Sequence, residues 1–140
     1  MVGETNLNQL LASMAPSLDN ERYGFITMLP SNPIRHVIEP KATYFEQEGL
    51  TMIVPHAQAM LYGFEVEAWF HCITLTVHSS LEAVGLTAAV SSALAKAGIS
   101  ANVLAAYFHD HIYVPESRSE EAMRVLHQLA EQANFGTSEQ

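Results

Sequence analysis

The residues best suited to chemistry lie in the second half of the chain. His109, Asp110 and His111 are consecutive. On an extended strand alternate residues share a face, so the two imidazoles point one way and the carboxylate the other. A pair of ring nitrogens on one face is a partial metal site, needing a further ligand such as His71 or His78 from another strand. Histidines hydrogen-bonded at a turn are the plainer reading of the same pair. Asp110 suits a different task, the pairing of an ammonium group, and such a charge-assisted hydrogen bond contributes about 1.5–3 kcal/mol where water is excluded. Upstream, Gly85, Leu86 and Thr87 stand where a strand turns into a helix. The first N–H groups of a helix have no partner within it and suit a carboxylate, and a glycine there lets a ligand come close.

Nothing else reads as chemistry. Ser79 and Ser80 lack the G-x-S-x-G elbow of a nucleophile, and the spacing of Ser79 and Glu82 fits local capping before the helix. Glu46 with Glu48, and Glu65 with Glu67, read as surface-strand acids. No phosphate loop or dinucleotide fingerprint is present. Cys72, the single cysteine, sits in an apolar strand pattern that points to burial. No catalytic residue, metal ligand or cofactor is assigned, and the chain is read as a non-enzyme.

The elements that must position these residues follow from periodicity. Ile73, Leu75 and Val77 alternate with Thr74, Thr76 and His78, a half-buried strand. Leu86, Ala89, Val90, Ala93, Leu94 and Ala97 carry helical spacing, and Gly98 stops the helix. Strands follow over 99–107 and 111–114. A last helix is signalled by the capping-box spacing of Ser117 and Glu120 and by the stripe Ala122, Val125, Leu126, Leu129. In the first half, Leu7, Leu10, Leu11 and Met14 are helix-spaced up to Pro16. Strands are expected over 23–29, 42–47 and 50–54, with a loop up to Pro40 that holds at most a short strand over 36–38, and the first strand of the second unit over 65–77. The softer stretch 56–63 is the expected boundary, dividing the chain into units 1–63 and 64–140. Strand, helix, strand, strand, helix is the order of an α+β ferredoxin-like sandwich, antiparallel sheets with helices on one face.

Composition narrows the partners. Fifteen acids against six bases give a net charge of −9, which repels nucleic-acid phosphates and anionic lipid, and the six bases are scattered. No window approaches eighteen apolar residues, and MVGETNLNQL has no signal-peptide pattern. A cytoplasmic protein with neither nucleic-acid nor membrane partners is expected.

The segments GLTMIVP (49–55), ITLTVHSSLEAVGLTAA (73–89), AGISANVLAAYFHDHIYVP (97–115) and EEAMRVLHQL (120–129) closely resemble a family of small bacterial tandem ACT-like proteins. More distantly the chain is similar to the CASTOR arginine sensors and to the paired ACT domains of aspartate kinases. The resemblance implies two ACT-like units in one chain and a regulatory role in binding a small molecule, a free amino acid, between them. It implies a homodimer and an output passed to a protein partner. The sensor glycine corresponds to Gly85 with Leu86 and Thr87, and the aspartate-histidine pattern to Asp110. A short strand of the preceding unit corresponds to Thr51, Met52 and Ile53. Three residues past the glycine stands Ala88, where an arginine sensor carries an acid. The rival readings are a metal-binding protein using His109 and His111, and an interaction module without a ligand.

Overall fold

The computed structural model describes residues 6–77 and 85–138. In chain order the elements are α1 (Leu7–Ala12), β1 (Pro16–Met28), β2 (Ala42–Phe45), β3 (Leu50–Pro55), α2 (His56–Leu61), β4 (Phe70–Leu75), α3 (Leu86–Lys96), β5 (Asn102–Ala105), β6 (Asp110–Pro115) and α4 (Ser119–Ser138), with 3-10 turns at Pro33–His36 and Glu116–Arg118. The expected α+β class with antiparallel strand pairing is present. The chain forms two compact units, one of them discontinuous: Met1–Asp19 joins His71–Gln140, and Asn20–Phe70 forms the other.

In the discontinuous unit the strand order is β1-β4-β6-β5, with β1 contributing only its first residues, up to Asp19. Ile73 and Leu75 of β4 and Ile112 and Val114 of β6 turn one face of the sheet inward. Against them lie Leu86, Val90 and Leu94 of α3, Ala122 and Leu126 of α4, and Leu10 and Leu11 of α1. Both periods found in the sequence are therefore spent on the same core. Full burial of a side chain of this size contributes about 1.5–3 kcal/mol, which holds the six-residue α1 where its own hydrogen bonds could not. Thr76 N–H donates to the Met14 carbonyl at 2.8 Å and tethers the chain after α1 to β4.

In the contiguous unit β3 lies between β2 and β1. Its register sets Met52 opposite Ile26 and Ile53 opposite Phe25 on one side, and Thr51 opposite Tyr44 on the other. Leu50, Met52 and Val54 face a core shared with Ile26, Met28, Ile38 and Ala59, flanked by Val66 and Trp69.

Several sequence expectations are corrected. The strand expected over 23–29 begins earlier, at Pro16. The stretch 30–40, expected as loop with at most a short strand over 36–38, holds no strand: Pro33 pre-sets helical φ, the Asn32 side chain accepts from Ile34 N–H at 3.0 Å, and a 3-10 turn results. The strand expected over 65–77 is confined to Phe70–Leu75, and that over 99–107 to Asn102–Ala105. Ser117 does not cap α4. A 3-10 turn leads into the helix, and the hydroxyl of buried Ser119 donates back to the Glu116 carbonyl at 3.1 Å. His78, Ser79, Ser80 and Glu82 lie outside the described residues.

Candidate functional site

The start of α3 is built as the sequence suggests. Ala89 N–H donates to the Gly85 carbonyl at 2.8 Å and closes the first turn. The N–H groups of Leu86, Thr87 and Ala88 are thereby left without helical acceptors. Among the described residues no side chain caps this end, and the first turn holds no acid. Gly85 adopts φ +100° and ψ −21°, a conformation other residues adopt only under strain. The glycine also has a contact that the sequence does not reveal. A Cβ at position 85 would lie 3.2 Å from Leu7 Cδ2, so α1 fills the space left by the missing side chain. Leu86 is buried in the core, whereas Thr87 is exposed.

Asp110 opens β6, opposite Ala105 of β5. Burial pushes its carboxyl above the ordinary carboxylate range, and the neighbouring His111 and His109 oppose that rise. Among the described residues no lysine or arginine forms a salt bridge with it. The histidines are held by β4 and by the residues just after it. His111 Nδ1 lies 2.9 Å from Thr74 Oγ1, and His109 Nδ1 lies 3.4 Å from the Val77 carbonyl oxygen. A carbonyl only accepts, so the proton of that bond sits on His109 Nδ1. The ring centroids are 6.5 Å apart. Among the described residues no group of three His, Cys, Asp or Glu is placed to hold a metal ion. Cys72 is buried, with its sulfur 4.0 Å from Thr74 Oγ1.

The structure thus sets Gly85, Leu86, Thr87 and Asp110 in one compact unit and Thr51, Met52 and Ile53 in the other. The latter three occupy the centre of a three-stranded ladder, paired to β1 on one edge and β2 on the other. Met52 (3% exposed) belongs to the core of its unit, and Ile53 (6% exposed) is buried as well. The Thr51 hydroxyl donates to the Glu46 carboxylate. Leu7, which sequence reasoning placed only on a helix face, is the residue it missed at this site. Its apolar spacing reports burial, not which turn it meets.

No helix among the described residues is long and apolar enough to cross a membrane. Profiles of the ACT domain match residues 2–71 and 68–128. Among solved structures, a Vibrio cholerae protein of unknown function, a possible transport protein, is 48% identical. That match covers 84% of this chain and 91% of the other, with a TM-score of 0.78. The ligand-free regulatory subunit of aspartate kinase from Thermus thermophilus is 13% identical over 84% of this chain and 97% of its own, with a TM-score of 0.61. Escherichia coli aspartokinase III, in complex with aspartate and ADP, is 15% identical over 82% of this chain and 33% of its own, also with a TM-score of 0.61. At these identities the two kinase structures share the fold alone. No curated protein matches. Two profiles that together span most of the sequence, and a relative alike over nearly its whole length, identify the chain as a member of the ACT domain family with two ACT domains in tandem.

Proposed function

We propose that this chain is a non-catalytic regulatory module that binds a free amino acid, with the carboxylate at the N–H groups of Leu86 and Thr87 and the ammonium at Asp110. The observation that carries this reading is the state of Asp110, a half-buried carboxyl raised by desolvation and without a lysine or arginine partner among the described residues. An ammonium ligand supplies the missing cation. The start of α3, without a side-chain cap among the described residues, supports the other end of the same ligand. Of Thr51, Met52 and Ile53, only Thr51 enters this reading as a second, separate contact, through its side chain, because the β3 backbone is engaged on both edges and Met52 and Ile53 are buried. Binding shifts the module only by the ligand's differential affinity for its alternative arrangements.

A thermal-unfolding screen against the twenty amino acids, each at millimolar concentration, tests this. A ligand at a hundred times its Kd stabilises by about 2.7 kcal/mol, a midpoint shift of roughly 8–12 °C for a chain this size. A selective shift that Asp110→Asn abolishes is the expected result. A flat response to all twenty removes the amino-acid reading and leaves a module that acts through protein contacts.

A further inference from the structure

The proposed ligand site has two poles, the N–H groups at the start of α3 and the carboxylate of Asp110, and α1 touches the supports of both. At its first residue, Leu7 fills the space beside Gly85, where a Cβ would lie 3.2 Å from Leu7 Cδ2 and 3.5 Å from Cδ1. Past its last residue the chain is tied to the end of β4. The Met14 carbonyl accepts from Thr76 N–H at 2.8 Å and from Val77 N–H at 3.4 Å, and the Thr76 hydroxyl donates to the Ala15 carbonyl at 2.8 Å. The Val77 carbonyl in turn accepts from His109 Nδ1 at 3.4 Å, and His109 adjoins Asp110 in sequence. The helix therefore bears on the Gly85 turn at one end and, at the other, on the residues that hold the strand carrying Asp110.

Two features make α1 a rigid spacer. Between its contacts Leu10, Leu11 and Met14 are buried in the core of the same unit, and close packing resists any slide of the helix along its axis. The link that leaves it is strained. Ala15 takes φ +39°, the only positive φ at a non-glycine residue among those described, and it stands before Pro16, which narrows its choices further. Such a backbone persists only where its surroundings over-determine it. Here they are the bonds from Thr76 and Val77 to the carbonyls of Met14 and Ala15. Without that clamp the link can relax, and the distance from α1 to β4 is no longer fixed.

We propose that α1, held by Leu7 at one end and by the Thr76 clamp at the other, sets the separation of the two poles, so that the site takes an α-amino acid and rejects one whose ammonium stands a carbon farther from its carboxylate. This rests on the amino-acid reading above and adds the structural source of its selectivity. Thr76 and Ala15 are positioning residues, acting on the poles through the backbone of Met14, Val77 and His109. Misplacing the ammonium by one carbon leaves a half-buried carboxylate without its partner, and loss of a charge-assisted bond is what such a site discriminates by.

The test uses L-alanine and β-alanine, isomers of equal charge that differ in where the ammonium stands. Each is titrated into the full-length protein while nitrogen-15 NMR follows the amides of Thr87 and Asp110, one at each pole. The wild type is expected to bind L-alanine about tenfold or more tightly than β-alanine. Thr76→Val removes the hydroxyl and keeps the shape, and Ala15→Gly releases the strain and removes only an exposed methyl. Both are expected to keep the wild-type circular dichroism and to lose most of that preference, whereas Thr76→Ser, which retains the hydroxyl, keeps it. A preference undiminished in Thr76→Val and Ala15→Gly overturns the role of α1 and leaves the amino-acid reading standing. Equal binding of the two isomers by the wild type overturns it in the same way. A wild type in which neither isomer moves the Thr87 and Asp110 amides removes the amino-acid reading and this inference with it.

Discussion

The two ends of α3 are finished differently. At the C-terminal end Gly98 takes φ +72°, Ile99 N–H donates to the Leu94 carbonyl at 3.0 Å and Ala97 N–H to the same oxygen at 3.1 Å. The Arg118 guanidinium then donates to the Ala97 carbonyl at 2.9 Å and the Gly98 carbonyl at 3.3 Å, while two bonds to Glu121 hold it in place. Terminal carbonyls that a helix cannot satisfy are satisfied here, with a cation at the negative end of the dipole. The N-terminal end has Gly85, no acid in the first turn and, among the described residues, no side-chain cap. Capping residues are not foreign to this chain, since Asn6 caps α1 and Asn32 caps the Pro33 turn. The difference teaches that one glycine completes a helix through hydrogen bonds while the other begins a helix against a residue from α1.

Substitutions at the two glycines sharpen that contrast. Gly85→Ala forces a side chain into a positive-φ backbone and towards Leu7, and is expected to cost about 2–3 kcal/mol by urea denaturation. Gly98→Ala meets nothing within 4 Å, so only the backbone term of about 1 kcal/mol remains. In a Leu7→Ala background the gap between the two should close. A gap unchanged by Leu7→Ala would mean that the contact with α1 is not what distinguishes them. Arg118→Ala falls between, at about 1–2 kcal/mol, because it removes charge-assisted bonds from two carbonyls that water can partly replace. Its exposed pairing with Glu121 adds only a few tenths of that, on the order of 0.3 kcal/mol. Arg118→Lys should recover less than half of the loss, since one ammonium lacks the fork that spans both oxygens. Full rescue by lysine would show that charge alone closes this end.

Legibility followed the same divide between local and distant signals. Leu86, Val90 and Leu94 announce α3, and Ile73 with Leu75 announce β4, because each pattern is a face buried in one core. The first half of β1 was invisible. Between Pro16 and Tyr23 only Leu18 is an aliphatic side chain that packs on the core, so no alternation marks the strand. The stretch 30–40 was legible as a break in the strand pattern from Pro30, Asn32 and Pro33. That the proline and the Asn32 cap wind it into a 3-10 turn was not, because Val37 and Ile38 carry β-prone side chains. Gly85 was legible as a turn glycine from its place after a strand. Its contact with Leu7 was not, since the two are joined only by tertiary packing. The alternation of Leu50, Met52 and Val54 tells that Met52 points inward. It does not tell that β3 is the middle strand, which is what occupies its backbone.

Asp110 offers the smallest predicted effect and the one whose sign is most informative. Its carboxyl is raised above the ordinary value of 3.8, through burial first, with His111 and His109 opposing. The folded chain therefore holds this proton more tightly than the unfolded chain does. Stability falls as pH rises through the interval between the ordinary and the raised value, because the unfolded state there binds fewer protons. Below the interval both states carry the proton and nothing is lost. Above it the cost of burying the charge is complete. Asp110→Asn abolishes the titration, so without ligand the variant should match the wild type in acid and become slightly more stable towards neutral pH. Unfolding midpoints of both proteins from about pH 3 to about pH 8 test this. A difference that grows with pH means the fold keeps an ionised carboxylate at a cost to its own stability, as a binding group must. A wild type that instead gains on the variant as pH rises would mean that Asp110 is stabilised by its histidine neighbours, and the ammonium site would lose its physical basis.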